Sequence, residues 1–250
     1  MNKVTEKIIM PLPTIATPMY ELTLPSSGKK VKYRPFLVKE EKILILALES
    51  QNQSDITNAV KDVLKKCIMT RGVKVDSLPT FDIEYIFLNI RAKSIGESIK
   101  IIVTCPDDGT TEVPVTVYVD EIEVNKPEGH TTDIKLDGKM TLRMKYPSLT
   151  QFIENNFETK MTPEEVVEKS FKVIADCMDT IYTEEDAWDA SEYSAKERMQ
   201  FVEQLNSKQY KDVEKFFATM PKLSHSIEVE NPNTGAKNTV VLEGLADFFA

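Results

Sequence analysis

The stretch IKIIVTCPDDGTTEVPVTVYVDEIEV, Ile99 to Val124, decides how the rest of the chain is read. Two runs rich in β-branched residues, Ile99–Thr104 and Val113–Val119, flank Cys105-Pro-Asp-Asp-Gly109, which is the pattern of a β-hairpin closed at a glycine turn. A fainter copy stands near the C-terminus, where Ile227-Glu-Val-Glu leads into Asn231-Pro-Asn-Thr-Gly235 and Thr239-Val-Val-Leu242 returns. A zinc knuckle has this shape, with ligands at the first and fourth positions and a glycine beneath the metal. Here those positions are Cys105 and Asp108 in one turn and Asn231 and Thr234 in the other. Neutral Asn and Thr are poor zinc donors, so the expectation is no metal and no cofactor. Two knuckle-shaped hairpins that pack together would form a metal-free, zinc-ribbon-like β module.

Outward from this pair, the chain reads as α+β, with helical segments and antiparallel hairpins. Residues 1–18 are an extended arm, proline-punctuated and carrying Ile8, Ile9, Met10 and Leu12; the arm either packs on its own domain or docks on a partner. Residues 19–98 combine a hairpin, turning at Pro25-Ser-Ser-Gly28, with three helices. The first spans Leu37–Gln51. The second is capped by Ser54 or Asp55 and buries Val60, Val63, Leu64 and Cys67. The third follows Thr80 as N-cap, with Ile83, Ile86, Phe87 and Ile90 inward.

Residues 99–146 form a β-rich block whose last hairpin turns at Asp137-Gly138. Residues 147–222 read as a helical insertion. Its helix starts are marked by Ser148/Gln151, Thr162/Glu165 and Ser194/Glu197, each a hydroxyl three residues before an acid or amide. The apolar face of the second of these helices extends to Met178 and Ile181, and an acidic loop, Tyr182–Asp189, carries the only tryptophan, Trp188. That loop is either a solvated connection or a contact surface. Residues 223–250 supply the C-terminal hairpin and a tail ending in Phe248-Phe249, which packs on its own core or on a partner. The five segments make one or two compact lobes.

Composition excludes several functions. With 40 acidic and 31 basic residues the chain carries a net charge of −9, which disfavours nucleic acid as a partner. No apolar run approaches the ~18–20 residues of a membrane span, and prolines 11, 13 and 18 interrupt any signal-peptide core, so the expected location is a cytoplasm. Cys67, Cys105 and Cys177 are too few and too scattered for a disulfide framework. Only two histidines exist, His130 and His225, and both read as surface side chains. Neither a phosphate-binding glycine loop nor a dinucleotide fingerprint is present. No catalytic residue is therefore assigned, and the alternative to a non-enzymatic protein is a hydrolase built from scattered carboxylates around Cys105 or His130.

The Met10-Pro-Leu-Pro13 arm, the passages Tyr20-Glu-Leu-Thr-Leu-Pro-Ser26 and Tyr33-Arg-Pro-Phe-Leu-Val-Lys-Glu-Glu-Lys42, the Cys105 turn and the ending Val241-Leu-Glu-Gly-Leu-Ala-Asp-Phe-Phe249 together resemble the baseplate hub subunits and hub assembly proteins of T-even-like contractile-tailed bacteriophages. The resemblance spans most of the chain. It implies a non-enzymatic late protein, a hub subunit or an assembly chaperone, acting in the infected host's cytoplasm and potentially retained in the virion tail baseplate. Implied partners are other tail and hub proteins, the tape-measure protein among them; a homo-oligomer is compatible with this. Candidate partner contacts are Ile8, Ile9, Met10, Leu12, Trp188, Phe248 and Phe249.

Overall fold

A computed structural model describes residues 15–50, 52–148 and 163–244. Ile8, Ile9, Met10, Leu12, Phe248 and Phe249 lie outside them, as do Gln151 and Thr162 of two expected helix starts. The architecture is α+β, with antiparallel pairing throughout the sheets.

The N-terminal hairpin, β1 (Tyr20–Thr23) and β2 (Lys30–Tyr33), turns at Gly28, whose φ of 67° suits a residue without Cβ. Three helices follow: α1 (Val38–Glu49), α2 (Gln53–Cys67) and α3 (Thr80–Ser94). The α2 cap is Asn52, two to three residues before the Ser54 or Asp55 expected for it, and its side chain accepts the N–H groups of both. Thr80 is not an N-cap either. It lies inside α3, and both its N–H and its hydroxyl donate to the Pro147 carbonyl.

α3 is the central element because it is apolar on both sides, as a helix enclosed by other elements must be. Ile83, Ile86, Phe87 and Ile90 face a first core made by β1, β2, α1 and α2, while Leu88 and Ala92 face a second core made by the β hairpins. Asp82, fully buried in its first turn, accepts from the backbone N–H and hydroxyl of Ser26 and so fastens the N-terminal hairpin turn to the helix.

The second core encloses the opening stretch. β3 (Ser98–Thr104) pairs with β4 (Glu112–Tyr118). β10 (Lys222–Glu230) lies between β11 (Lys237–Glu243) and the short β5 (Glu123–Asn125). Ile99, Ile101 and Val103 alternate inward against Val117, Ile227, Val229 and Leu242. Burying each such side chain contributes roughly 2 kcal/mol, and a one-residue slip would turn a whole set outward. Residues far apart in sequence thus form one β unit.

The third core joins β6 (Asp133–Lys135) and β7 (Thr141–Met144) to α4 (Pro163–Cys177), β8 (Met178–Tyr182), β9 (Ala187–Asp189), α5 (Ala195–Glu203) and α6 (Ser207–Thr219). The helix expected to continue through Ile181 ends at Cys177, and the supposed acidic loop is the β8–β9 hairpin. Met178 and Ile181 suit either period. β7 offers a strand edge, and Thr180, Ile181 and Tyr182 are good strand formers that take it, extending the sheet to the order β6-β7-β8-β9. The expected Ser194/Glu197 capping box is present at α5, and Asn206 with Gln209 forms a second one at α6.

Candidate functional site

The two knuckle-shaped turns meet. Each is built alike: the glycine N–H returns to the carbonyl of the first residue, Gly109 to Cys105 and Gly235 to Asn231, with φ of 66° and 72°. The first residues of both, Cys105 and Asn231, are completely enclosed. Between the turns, Asn231 Nδ2 donates to Asp107 Oδ1 and Oδ2 at 3.0 and 3.1 Å and to Asp108 Oδ2 at 3.0 Å. Thr234 Oγ1 and Asn238 Nδ2 also donate to Asp107, and Asn233 Nδ2 donates to Thr111.

Carboxylates surrounded by donors stay ionised. Asp107 is held below the usual carboxylate range chiefly by Asn231 and Thr234, and Asp108 far below it by the Thr111 hydroxyl and the N–H groups of Thr110 and Thr111. The side chains at three of the four knuckle positions, Asp108, Asn231 and Thr234, are thus committed to hydrogen bonds, and the fourth, Cys105, is the single thiol. Among the described residues no group of three or more His, Cys, Asp or Glu gathers as a metal-ligand set. The sequence pointed to Cys105, Asp108, Asn231 and Thr234 but missed Asp107 and Asn238, which take part in most of the bonds between the turns. Its only signal was the acid doubled before Gly109, which reads equally as turn chemistry.

The thiols are not poised as nucleophiles. Burial, with Asp107 and Asp108 nearby, pushes Cys105 up, while burial pushes Cys67 to about 11 and Cys177 to about 12. His130 is not the surface side chain expected of it. Its ring stacks on Tyr146 at 5.6 Å and packs against Phe216 at 5.3 Å. The Thr219 hydroxyl already donates to the Lys215 carbonyl, so His130 Nδ1 is the donor in its 2.9 Å contact with Thr219. Burial keeps the Tyr146 hydroxyl protonated, so it donates to His130 Nε2 at 3.0 Å. No local signal marks this environment, because the partners are 16 and 89 residues away.

Desolvation lowers the His130 pKa, so the neutral ring is the folded form. The unfolded chain then takes up the proton first as pH falls below about 6.5, and stability is lost in that direction. Thermal unfolding between about pH 7.5 and about pH 5.5, above most carboxylate titration, should show a midpoint that falls with pH, and His130→Phe should flatten the slope. An unchanged slope in the variant would remove His130 as its source.

Trp188 sits on β9 opposite Ile181, at the edge of the four-stranded sheet β6-β7-β8-β9. With Met140, Met178, Tyr193 and Phe201 it lines an open groove of about 370 Å³ between the sheet and α5. Arg198 also reaches this wall but is engaged inward, donating to the carbonyls of Ala175, Ala190 and Tyr193 and to Asp176. A smaller cleft, about 180 Å³, lies beside Phe81 and Tyr146. Neither is lined by histidine or cysteine. His225 is elsewhere, its Nδ1 against the Glu121 carbonyl at 3.0 Å. No helix among the described residues is long and apolar enough to cross a membrane.

No curated protein and no solved structure matches the chain. The family model described as T4 bacteriophage base plate protein matches residues 17–250, which takes in the N-terminal hairpin, the helices, both knuckle-shaped turns and the Trp188 groove. A scaffold whose polar clusters are spent on holding its own turns together, and which that model matches from residue 17 to residue 250, belongs to the T4 bacteriophage base plate protein family.

Proposed function

We propose that this chain works without catalysis in assembly of the baseplate hub, through contacts with other tail proteins, as a hub subunit or as an assembly factor active in the host cytoplasm. The observation that carries the reading is the surface of α1. Its inner side holds Glu40 and Ala47, yet Val38, Ile45 and Leu46 are 79%, 49% and 56% exposed. Exposed aliphatic side chains on a helix whose other side is enclosed by its own protein offer a surface for another protein to cover. The arm bearing Ile8, Ile9, Met10 and Leu12 and the tail bearing Phe248 and Phe249 are further contacts in this reading, and the tape-measure protein is among the partners it allows. The two knuckle turns act in it as a metal-free ribbon, an architectural device.

A tagged chain recovered from phage-infected cells should bring baseplate proteins with it in fixed stoichiometry. Ile45→Glu with Leu46→Glu, or deletion of residues 1–18, should reduce the yield of that complex about tenfold or more while leaving the melting temperature of the chain near its original value. Presence in mature tails identifies a subunit, and absence a transient factor. A chain recovered alone would overturn the proposal.

A further inference from the structure

We propose that the Trp188 groove is a docking site for a basic amphipathic segment of a partner protein, one that inserts apolar side chains flanked by Lys or Arg. This rests on the assembly role proposed above and names the chemistry of one partner contact. Two independent observations support it.

The first is the floor. Met140, Met178, Ile181 and Phe201 form an apolar trough, with Trp188 and Tyr193 still 36% and 38% exposed at its lip. Aromatic anchors left half-uncovered over a methionine-rich trough are the composition of an adaptable protein contact. The one cation on the wall, Arg198, is fully engaged with the carbonyls and carboxylate behind it.

The second is the rim. From Thr183 to Ala195 the chain carries Glu184, Glu185, Asp186, Asp189 and Glu192 and no Lys or Arg. All five carboxylates are on exposed residues. The Ser191 hydroxyl and N–H, with Lys145 nearby, hold Asp189 below the usual carboxylate range. An acidic or neutral apolar segment would be repelled or indifferent, whereas a basic one gains both steering and register. The β8–β9 hairpin, paired Thr180↔Asp189, Ile181↔Trp188 and Tyr182↔Ala187, carries four of these carboxylates on the same element as Trp188.

Trp188 is the chain's only tryptophan, so its emission reports this groove alone. The probe is a synthetic amphipathic Leu/Lys helix of about 18 residues, long enough to cross the trough, with a Leu/Glu helix of the same length as its mirror. The Leu/Lys peptide should shift Trp188 emission saturably, and its affinity should fall about tenfold between roughly 0.05 and 0.3 M salt. Glu184→Lys with Glu185→Lys should weaken it at least about fivefold, and Gln200→Lys on the α5 side should do likewise. Glu228→Lys, on the distant β10, should leave it unchanged. No emission change, equal response to the Leu/Glu helix, or equal weakening by Glu228→Lys would overturn the proposal.

The same variants separate it from the assembly role. If Glu184→Lys with Glu185→Lys abolishes peptide binding yet the chain still recovers its full set of baseplate partners, the groove is not a contact and the assembly role stands. If the unmodified chain recovers no baseplate partner at all, the assembly role fails whatever the peptide does.

Discussion

Replacing Asn231 with alanine should cost about 3 kcal/mol and lower the thermal midpoint by roughly 6–12 °C. Asn231 is wholly enclosed, and one amide serves both turns. Its Oδ1 accepts the N–H groups of Asn233 and Thr234 at 2.9 and 3.3 Å, which shapes its own turn, while Nδ2 reaches both Asp107 and Asp108 in the other. Truncation removes these bonds together and leaves two neighbouring carboxylates without the donor between them. Asn231→Asp is the sharper test, because it preserves shape and turn acceptor but sets a third carboxylate against the first two. It should be worse than alanine at pH 7 and recover as pH falls and the carboxylates take up protons. The unmodified protein should behave in the opposite sense. Asp107 and Asp108 titrate lower folded than unfolded, so their contribution is complete above the ordinary carboxylate pKa and is lost as pH drops toward their depressed values. Thermal melts of the three proteins at pH 7 and about pH 4 decide it. An Asn231→Ala protein within about 1 kcal/mol of the original would mean that the strands alone hold the turns together.

The hairpins were legible in the sequence because alternation and glycine turns are local signals, whereas the repeat of the Cys105-Pro-Asp-Asp-Gly109 layout in Asn231-Pro-Asn-Thr-Gly235 suggested that the two turns meet without deciding it. What escaped was decided by partners at long range. Met178–Tyr182 fits a helix face as well as a strand, and only the open edge of β7 resolves it. His130 is flanked by Gly129 and Thr131, as a surface residue would be, until Tyr146, Phe216 and Thr219 close around it. The run Ile43–Leu48 shows a wide apolar face but not which side the body of the protein covers. Trp188 reads in the sequence as either a folded-back side chain or a contact; it stands on β9 opposite Ile181 and lines the groove with 36% of its surface exposed.

Glu40→Ala should destabilise the chain by about 3 kcal/mol, the cost of leaving a mostly buried cation without its anion. The passage Arg34-Pro-Phe-Leu-Val-Lys-Glu40 is a charged clasp at the start of α1. Glu40 Oε2 accepts the Leu37 N–H at 2.7 Å, closing the first turn, and Oε1 accepts from Arg34 Nη2 at 3.2 Å, while Arg34 Nη1 donates to the Pro35 carbonyl at 2.8 Å. Burial pushes the Glu40 carboxyl up, but Arg34 and the Leu37 N–H outweigh it and leave the group below its usual value. The clasp is therefore intact at neutral pH and weakens as pH falls through about 4.5 toward the lower folded value. Glu40→Gln keeps the volume and the acceptor for Leu37 but not the charge, so its loss should be intermediate. Arg34→Met with Glu40→Leu removes both charges, and that double variant should be more stable than Glu40→Ala alone. If the double variant is no better, the clasp matters through its hydrogen bond to the α1 backbone rather than through charge pairing. Because α1 also carries the uncovered Val38, Ile45 and Leu46, the two kinds of lesion can be told apart. Glu40→Ala should lose stability and partner recovery together, whereas Ile45→Glu with Leu46→Glu should lose recovery alone.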